Sequence, residues 1–276
     1  MIKLNHRRSW IDVITVKNET YSSIPVLHVV RADQNHNNKL PTIFFLHGFT
    51  SAKEHNLPIA YMLADKGFRV IMPDALHHGE REVEVSGNER NLLFWTIVQQ
   101  SIKELNEIKE ELFARSVIDL SSIGVSGTSM GAITTYGALT QYEWIDSAAA
   151  FMGTAYHEMF AKEQLSMLER QGHPIAKETK EELLADISQF DFSTQLEILS
   201  NRPLFIWHGE QDQVVPFHYS ESLFNQLQTN DQQEKQRITF IREEQAGHKV
   251  SRSAMLAAVE WYCDQLHTEN RKAPVR

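Results

Sequence analysis

At 276 residues, 42% of them hydrophobic, the chain is long enough to bury a substantial core as one large domain or two small ones. A formal net charge of -9 argues against a nucleic-acid partner or an anionic membrane surface, since both reward clustered Lys and Arg. Cys263 is the only cysteine, so no intrachain disulfide forms. With no signal-type start and no apolar run of about 18 residues, a cytoplasmic protein without a membrane partner is expected.

Short β-rich runs alternate with longer segments of helical period. WIDVITV (10–16) and IPVLHVV (24–30), joined by a short loop, read as an antiparallel edge pair. TIFFLHG (42–48) is followed by a helix over 54–66, and FRVIMPD (68–74) by a helix over 91–114. In that second helix Val98, Ile102, Leu105, Ile108 and Leu112 recur every three or four residues and share one face. SIGVSG (122–127), a helix over 130–142 and SAAAFMG (147–153) come next. PLFIWHG (203–209), a helix over 217–228, RITFIRE (237–243) and a helix over 250–266 complete the alternation. Such a pattern predicts an α/β protein with a mostly parallel sheet covered on both faces, because each parallel crossover needs a helix-length connection. No linker divides the chain, so a single domain is expected. Residues 155–200 break the alternation with charged helical segments and no strand, and read as a small helical cap over the strands' carboxyl ends.

The motif GTSMG places Ser129 between a predicted strand and a predicted helix, as in a G-x-S-x-G nucleophile turn. Side chains two before and two after the serine would collide with neighbouring backbone, which accounts for Gly127 and Gly131. A hydroxyl needs a base, and a base of this kind needs a carboxylate to orient it. In the order Ser, acid, His, the loop GEQDQVVP offers Asp212, with Glu210 as a rival, and QAGHKV offers His248. Glu243 and Glu244 read as a solvated strand end. For the oxyanion, the candidate donors are the backbone amides of Met130, next to the nucleophile, and Phe49, after Gly48.

The other histidines have simpler readings. His47 and His208 precede glycines at strand ends, where a ring braces a loop, while His77 or His78 in PDALHHGERE can reach the pocket edge. Adjacent histidines project differently and no further ligand cluster accompanies them, so no metal is expected. Cys263, in AAVEWYCDQL, reads as a small half-buried side chain rather than a nucleophile.

In sequence order, HGFTS, PDALHHGE, GTSMG, HGEQDQVVP and AGHKV resemble the α/β-hydrolase superfamily, over about residues 20–268. Within it the resemblance is to the small bacterial YitV/YjfP-type serine carboxylesterases of the prolyl-oligopeptidase-like branch. It implies an α/β-hydrolase fold with a mostly parallel eight-stranded sheet, and cofactor-free hydrolysis of a small-molecule ester through Ser129, Asp212 and His248. Thr128 stands where some members carry another small or polar residue, which leaves fine specificity open. A thioesterase or peptidase using the same three residues, and a binding protein with a silent site, are the alternatives. Tyr156, Met159, Phe160, Leu165 and Leu168 could roof an apolar pocket, and uncharged short-chain esters are the expected substrates, long chains being excluded by a small pocket.

Overall fold

Runs of Val, Ile and Phe too short for a helix pair edge to edge into one eight-stranded sheet. A computed structural model describes residues 13–36, 40–83, 91–118, 120, 122–200, 202–230 and 237–266. The strands are β1 (Ile14–Tyr21), β2 (Ile24–Arg31), β3 (Thr42–Leu46), β4 (Arg69–Pro73), β5 (Ile123–Thr128), β6 (Ser147–Phe151), β7 (Leu204–Gly209) and β8 (Ile238–Glu243). Their spatial order is β1-β2-β4-β3-β5-β6-β7-β8. β2 runs antiparallel to both of its neighbours, and every pairing from β4 to β8 is parallel.

The inner strands β3, β4, β5, β6 and β7 are buried at every position, which is why they read as mostly apolar runs without alternation, broken by a few buried polar residues such as Arg69 and Ser126. β1 differs from its expected range. It extends to Tyr21 through Lys17, Asn18 and Glu19, and residues 10–12 of the expected strand lie outside the described ones. As an edge strand it exposes one face, so polar residues interrupt the apolar signal. Ser22 and Ser23, both at positive φ, make the tight turn to β2 without the Asn-Gly or Asp-Gly pair that usually marks it.

The helices are α1 (Leu57–Asp65), α2 (Phe94–Ala114), α3 (Met130–Gln141), α4 (His157–Arg170), α5 (Lys177–Ser188), α6 (His218–Asn230) and α7 (Arg252–Leu266). Two hydrophobic clusters separate the faces of the sheet. One packs Ile102, Leu105, Ile133 and Leu223 of α2, α3 and α6. The other packs Leu63 and Tyr262 of α1 and α7 against Val70 and Phe205. All five residues of the predicted α2 stripe are buried. The helix expected over 54–66 begins with a separate 3-10 turn, Lys53–Asn56, and Pro58 occupies the first turn of α1, where its missing N–H costs nothing. α4 and α5 fill the interval between β6 and β7.

One expectation is corrected at the start of α7. Glu243 is more than a solvated strand end: its Oε1 accepts from Ser251 Oγ at 2.5 Å and Ser253 Oγ at 3.1 Å. Ser251 Oγ in turn accepts the Ala254 N–H at 3.0 Å, the usual N-cap bond. β8 and α7 are thereby tied together across the loop that carries His248.

The β5–α3 turn is packed backbone to backbone. A Cβ on Gly127 would fall closer than 3.0 Å to Gly131 C, and one on Gly131 equally close to Leu46 O at the end of β3. Neither neighbour is a flexible side chain. We expect Gly127→Ala or Gly131→Ala to destabilise by more than the roughly 1–3 kcal/mol typical of core overpacking. Urea unfolding measures this; a loss below about 1 kcal/mol at both positions would contradict the packing described.

Candidate active site

The tight β5–α3 turn leaves Ser129 at φ 55 and ψ -116, a conformation that non-glycine residues adopt only when their surroundings enforce it. Its N–H is held by Phe151 O at 2.9 Å. The hydroxyl points to the loops that follow β7 and β8, at the carboxyl ends of the strands. There His248 Nε2 stands 2.9 Å from Ser129 Oγ, and His248 Nδ1 stands 2.6 Å from Asp212 Oδ2. The structure thus brings Ser129, His248 and Asp212 into one hydrogen-bonded line.

Asp212 is fixed by its own loop. Its Oδ1 accepts the N–H groups of Val214 at 2.8 Å and Val215 at 3.0 Å, an Asx-type turn. Oδ2 faces both His248 Nδ1 and, at 3.3 Å, His208 Nε2. Burial alone would raise the carboxyl's pKa, but hydrogen bonds from His208, His248 and the Val214 N–H outweigh it and hold the group well below the ordinary carboxylate range. Asp212 is therefore an anion aimed at an imidazole.

The rival Glu210 points elsewhere and pairs with Arg242 Nε at 2.6 Å. His208 lies buried, with Nε2–H donating to Val215 O at 2.9 Å and Nδ1 opposite Ser220 Oγ at 2.7 Å. His47 is likewise enclosed. Its Nδ1–H donates to Gly48 O at 2.8 Å, its Nε2 accepts the Ala75 N–H at 3.0 Å, and burial pushes its pKa down to about 4. His78 is buried behind Phe49, 5.4 Å ring to ring, rather than at the pocket edge. His77 is half-buried and does not line the cleft. Cys263 is half-buried in α7, and burial raises its thiol pKa. Among the described residues, no group of three or more His, Cys, Asp or Glu is arranged to hold a metal, and no helix is long and apolar enough to cross a membrane.

Gly48 approaches the nucleophile turn closely: a Cβ there would meet Ser129 Cβ and Thr128 O at 3.4 Å. The Phe49 and Met130 amides therefore belong to the two segments that flank the Ser129 side chain. In front of it opens a cleft of about 890 Å³ whose walls include Phe49, Phe94, Ile133, Met159, Phe160 and Val214. Of the five expected roof residues, Met159, Phe160 and Leu168 reach the cleft. Tyr156 and Leu165 are buried away from it, Tyr156 against the Tyr219 ring. Among the described residues, no small roof closes over the cleft: Met159 and Met167 line it yet remain half exposed, so α4 flanks its mouth. Sequence reasoning also missed Lys53 and Asp74, discussed below. Neither carries a local signal, since Lys53 looks like any surface lysine until its complete burial is seen.

A hydroxyl backed by an imidazole, itself backed by a buried anion, is built for nucleophilic attack, and this sheet carries it as the α/β-hydrolase-fold serine hydrolases do. The chain belongs to the prolyl oligopeptidase family, whose profile matches residues 58–267. It is 41% identical over 252 residues, 91% of this chain and 98% of the relative, to YitV of Bacillus subtilis, which carries a provisional esterase name. Esterase YjfP of Escherichia coli is 30% identical over 92% of this chain and all of its own length. The crystal structure of TT1662 from Thermus thermophilus shares the fold, with a TM-score of 0.72 at 21% identity over 91% of this chain and 99% of that one.

Asp212 also links the site to stability. Its folded pKa lies below the unfolded value of about 3.9, so its contribution is present above that value and lost as pH falls through the folded one. We expect the unfolding free-energy gap between native protein and Asp212→Asn to shrink as pH falls below about 4, where the unfolded carboxyl takes up its proton first. Urea titrations below about pH 4 measure it, and a gap that widens over that interval would contradict the assignment.

Proposed function

We propose that the protein hydrolyses carboxylic esters through an acyl-enzyme on Ser129. His248 takes the Ser129 proton as the hydroxyl attacks the ester carbonyl, and Asp212 holds the ring in the required tautomer and stabilises the imidazolium. The amides of Phe49 and Met130 receive the oxyanion, each such donor being worth about 2.7–4 kcal/mol of barrier. The alcohol leaves with the proton from His248, and water then repeats the sequence on the acyl group. The observation that carries this reading is the unbroken line from Ser129 Oγ through His248 to Asp212, at 2.9 and 2.6 Å. Esters are favoured over amides by the names of the two curated relatives, and because an amide leaving group is harder to expel. The reading keeps the enzyme in the cytoplasm, acting on small molecules, as a single domain in which α4 and α5 form the cap.

A fluorophosphonate should label Ser129 stoichiometrically, and Ser129→Ala should abolish both labelling and ester turnover while the protein stays folded. Labelling elsewhere, or an unchanged rate, would remove the nucleophile assignment. Asp212→Asn should lower kcat roughly 10⁴-fold, whereas Glu210→Gln, on an exposed ion pair, should stay within about threefold. Because Asp212 is already ionised in the working range, kcat/KM should rise with pH to a plateau along a single ionisation to which Asp212 adds no second step. Two ionisations on the acid limb would show that a second group controls the base.

The open cleft bears on substrate size. Each added methylene that leaves water for an apolar wall contributes up to about 0.8 kcal/mol, or roughly fourfold in kcat/KM. We expect kcat/KM to climb beyond four-carbon acyl esters before levelling. Met159→Ala should change that profile with little loss of stability, since Met159 is 50% exposed. Phe160 is unsuited to this test because it is buried against Phe94, Trp95 and Tyr219. Turnover confined to two- to four-carbon acyl groups would contradict the cleft's role.

A further inference from the structure

The segment PDALHHGERE, which the reaction itself does not use, reaches back to the turn that carries Phe49. His78 Nδ1–H donates to Leu76 O at 2.8 Å, which leaves Nε2 as an acceptor, and Nε2 accepts the Thr50 N–H at 3.1 Å. Thr50 is the residue after Phe49 and sits at φ 57, a left-handed conformation that a threonine adopts only under constraint. Three residues further on, Asp74 Oδ1 accepts the Lys53 N–H at 3.1 Å, and Asp74 Oδ2 binds Lys53 Nζ at 2.5 Å. Both side chains are fully buried. Burial alone would lower the Lys53 pKa, but the carboxylates of Asp74, Glu80 and Glu54 outweigh it and keep the ammonium charged.

The loop that grips the turn is itself anchored. Asp74 Oδ2 also accepts the Glu80 N–H at 3.0 Å, and Gly79, at φ 54, is the one residue type that fits against the Asp74 carboxylate. Arg81 donates to Asp74 O at 3.1 Å and forks onto both oxygens of Glu104 in α2 at 2.7 Å. The tie therefore runs from a helix of the core, through a rigid loop, to the backbone on either side of the turn's outer half.

We propose that His78, with Asp74 and Lys53 behind it, is a positioning residue that fixes the Phe49 N–H for the oxyanion. It touches no substrate atom. The inference rests on the assignment of Phe49 and Met130 as oxyanion donors under the proposed function. The ring acceptor on the Thr50 N–H fixes the Phe49–Thr50 peptide and so limits the backbone freedom of Phe49, and preorganisation is what gives an oxyanion hole its effect on the transition state rather than on substrate binding.

The test compares an oxoester with the matching thionoester. Sulfur is larger and a weaker acceptor, so a hole shaped for oxygen discriminates between them, while general loss of structure slows both alike. His78→Phe removes the acceptor but keeps a ring against Phe49. We expect it to lower oxoester kcat roughly 10- to 100-fold with KM within about threefold, and to contract the oxo-to-thiono rate ratio by a similar factor. His78→Gln, whose amide oxygen can accept the Thr50 N–H, should retain more of that ratio. An unchanged ratio in His78→Phe overturns the proposal, and if that variant does not fold, His78→Ala is read by the same criterion. Native enzyme with no preference for the oxoester would instead overturn the Phe49 and Met130 assignment.

Discussion

The contact on which the site depends is that of Gly127, Gly131 and Leu46 around the strand-to-helix turn. Each glycine costs conformational entropy, of order 0.5–1 kcal/mol relative to alanine in regular structure. In return the backbone of α3 lies against the ends of both β5 and β3 with no Cβ between them. That approach holds Ser129 in its positive-φ conformation and sets the start of α3 beside the turn after β3, where a Cβ on Gly48 would meet Ser129 Cβ at 3.4 Å. The proposed nucleophile and the proposed oxyanion donors are thus not placed independently: the same packing contact positions both segments.

Around that contact the charges are arranged by burial. The protein as a whole carries -9, yet in the site a single carboxylate, Asp212, faces the imidazole, held ionised by donors from His208, His248 and its own loop. His47 and His78 are both buried and use their ring nitrogens on backbone groups. The His248 side chain is 21% exposed, with Nε2 on Ser129 Oγ. The same side chain is placed as a brace, or as the proposed base, according to whether a backbone group or a hydroxyl meets its ring. Near the turn that carries Phe49 the sign is reversed, with the Lys53 ammonium enclosed by carboxylates. A buried pair of this kind contributes little net stability but is costly to break, which suits a fixed geometry.

Much of this was legible in the sequence. Inner strands announce themselves because burial on both faces favours mostly apolar runs without alternation, and the α2 stripe is legible because 3.6-residue periodicity maps onto one buried face. The Ser129 turn is legible because glycine is the only residue that meets its steric demand. The edge strand β1 was misplaced because half of it faces water, and its Ser22–Ser23 turn lacks the usual residues. How α4 sits at the cleft was not legible because amphipathic periodicity says which residues share a face, not whether that face closes over a site. Glu243 and Lys53 were unreadable for a common reason: their partners, Ser251 and Asp74, are brought to them only by the fold. His78 was placed in the right loop, but its burial and its bond to Thr50 depend on how that loop returns to β3.

The central claim is that the reaction passes through a covalent bond to one oxygen, Ser129 Oγ. Rapid acid quench of the enzyme with an ester whose deacylation is slow, followed by mass measurement of the intact chain and its peptides, addresses this directly. The expected result is one acyl mass per chain, carried by Ser129, appearing with the first equivalent of released alcohol and disappearing as the acid forms. Steady ester turnover with no covalent adduct, or with the acyl group on another residue, would contradict it.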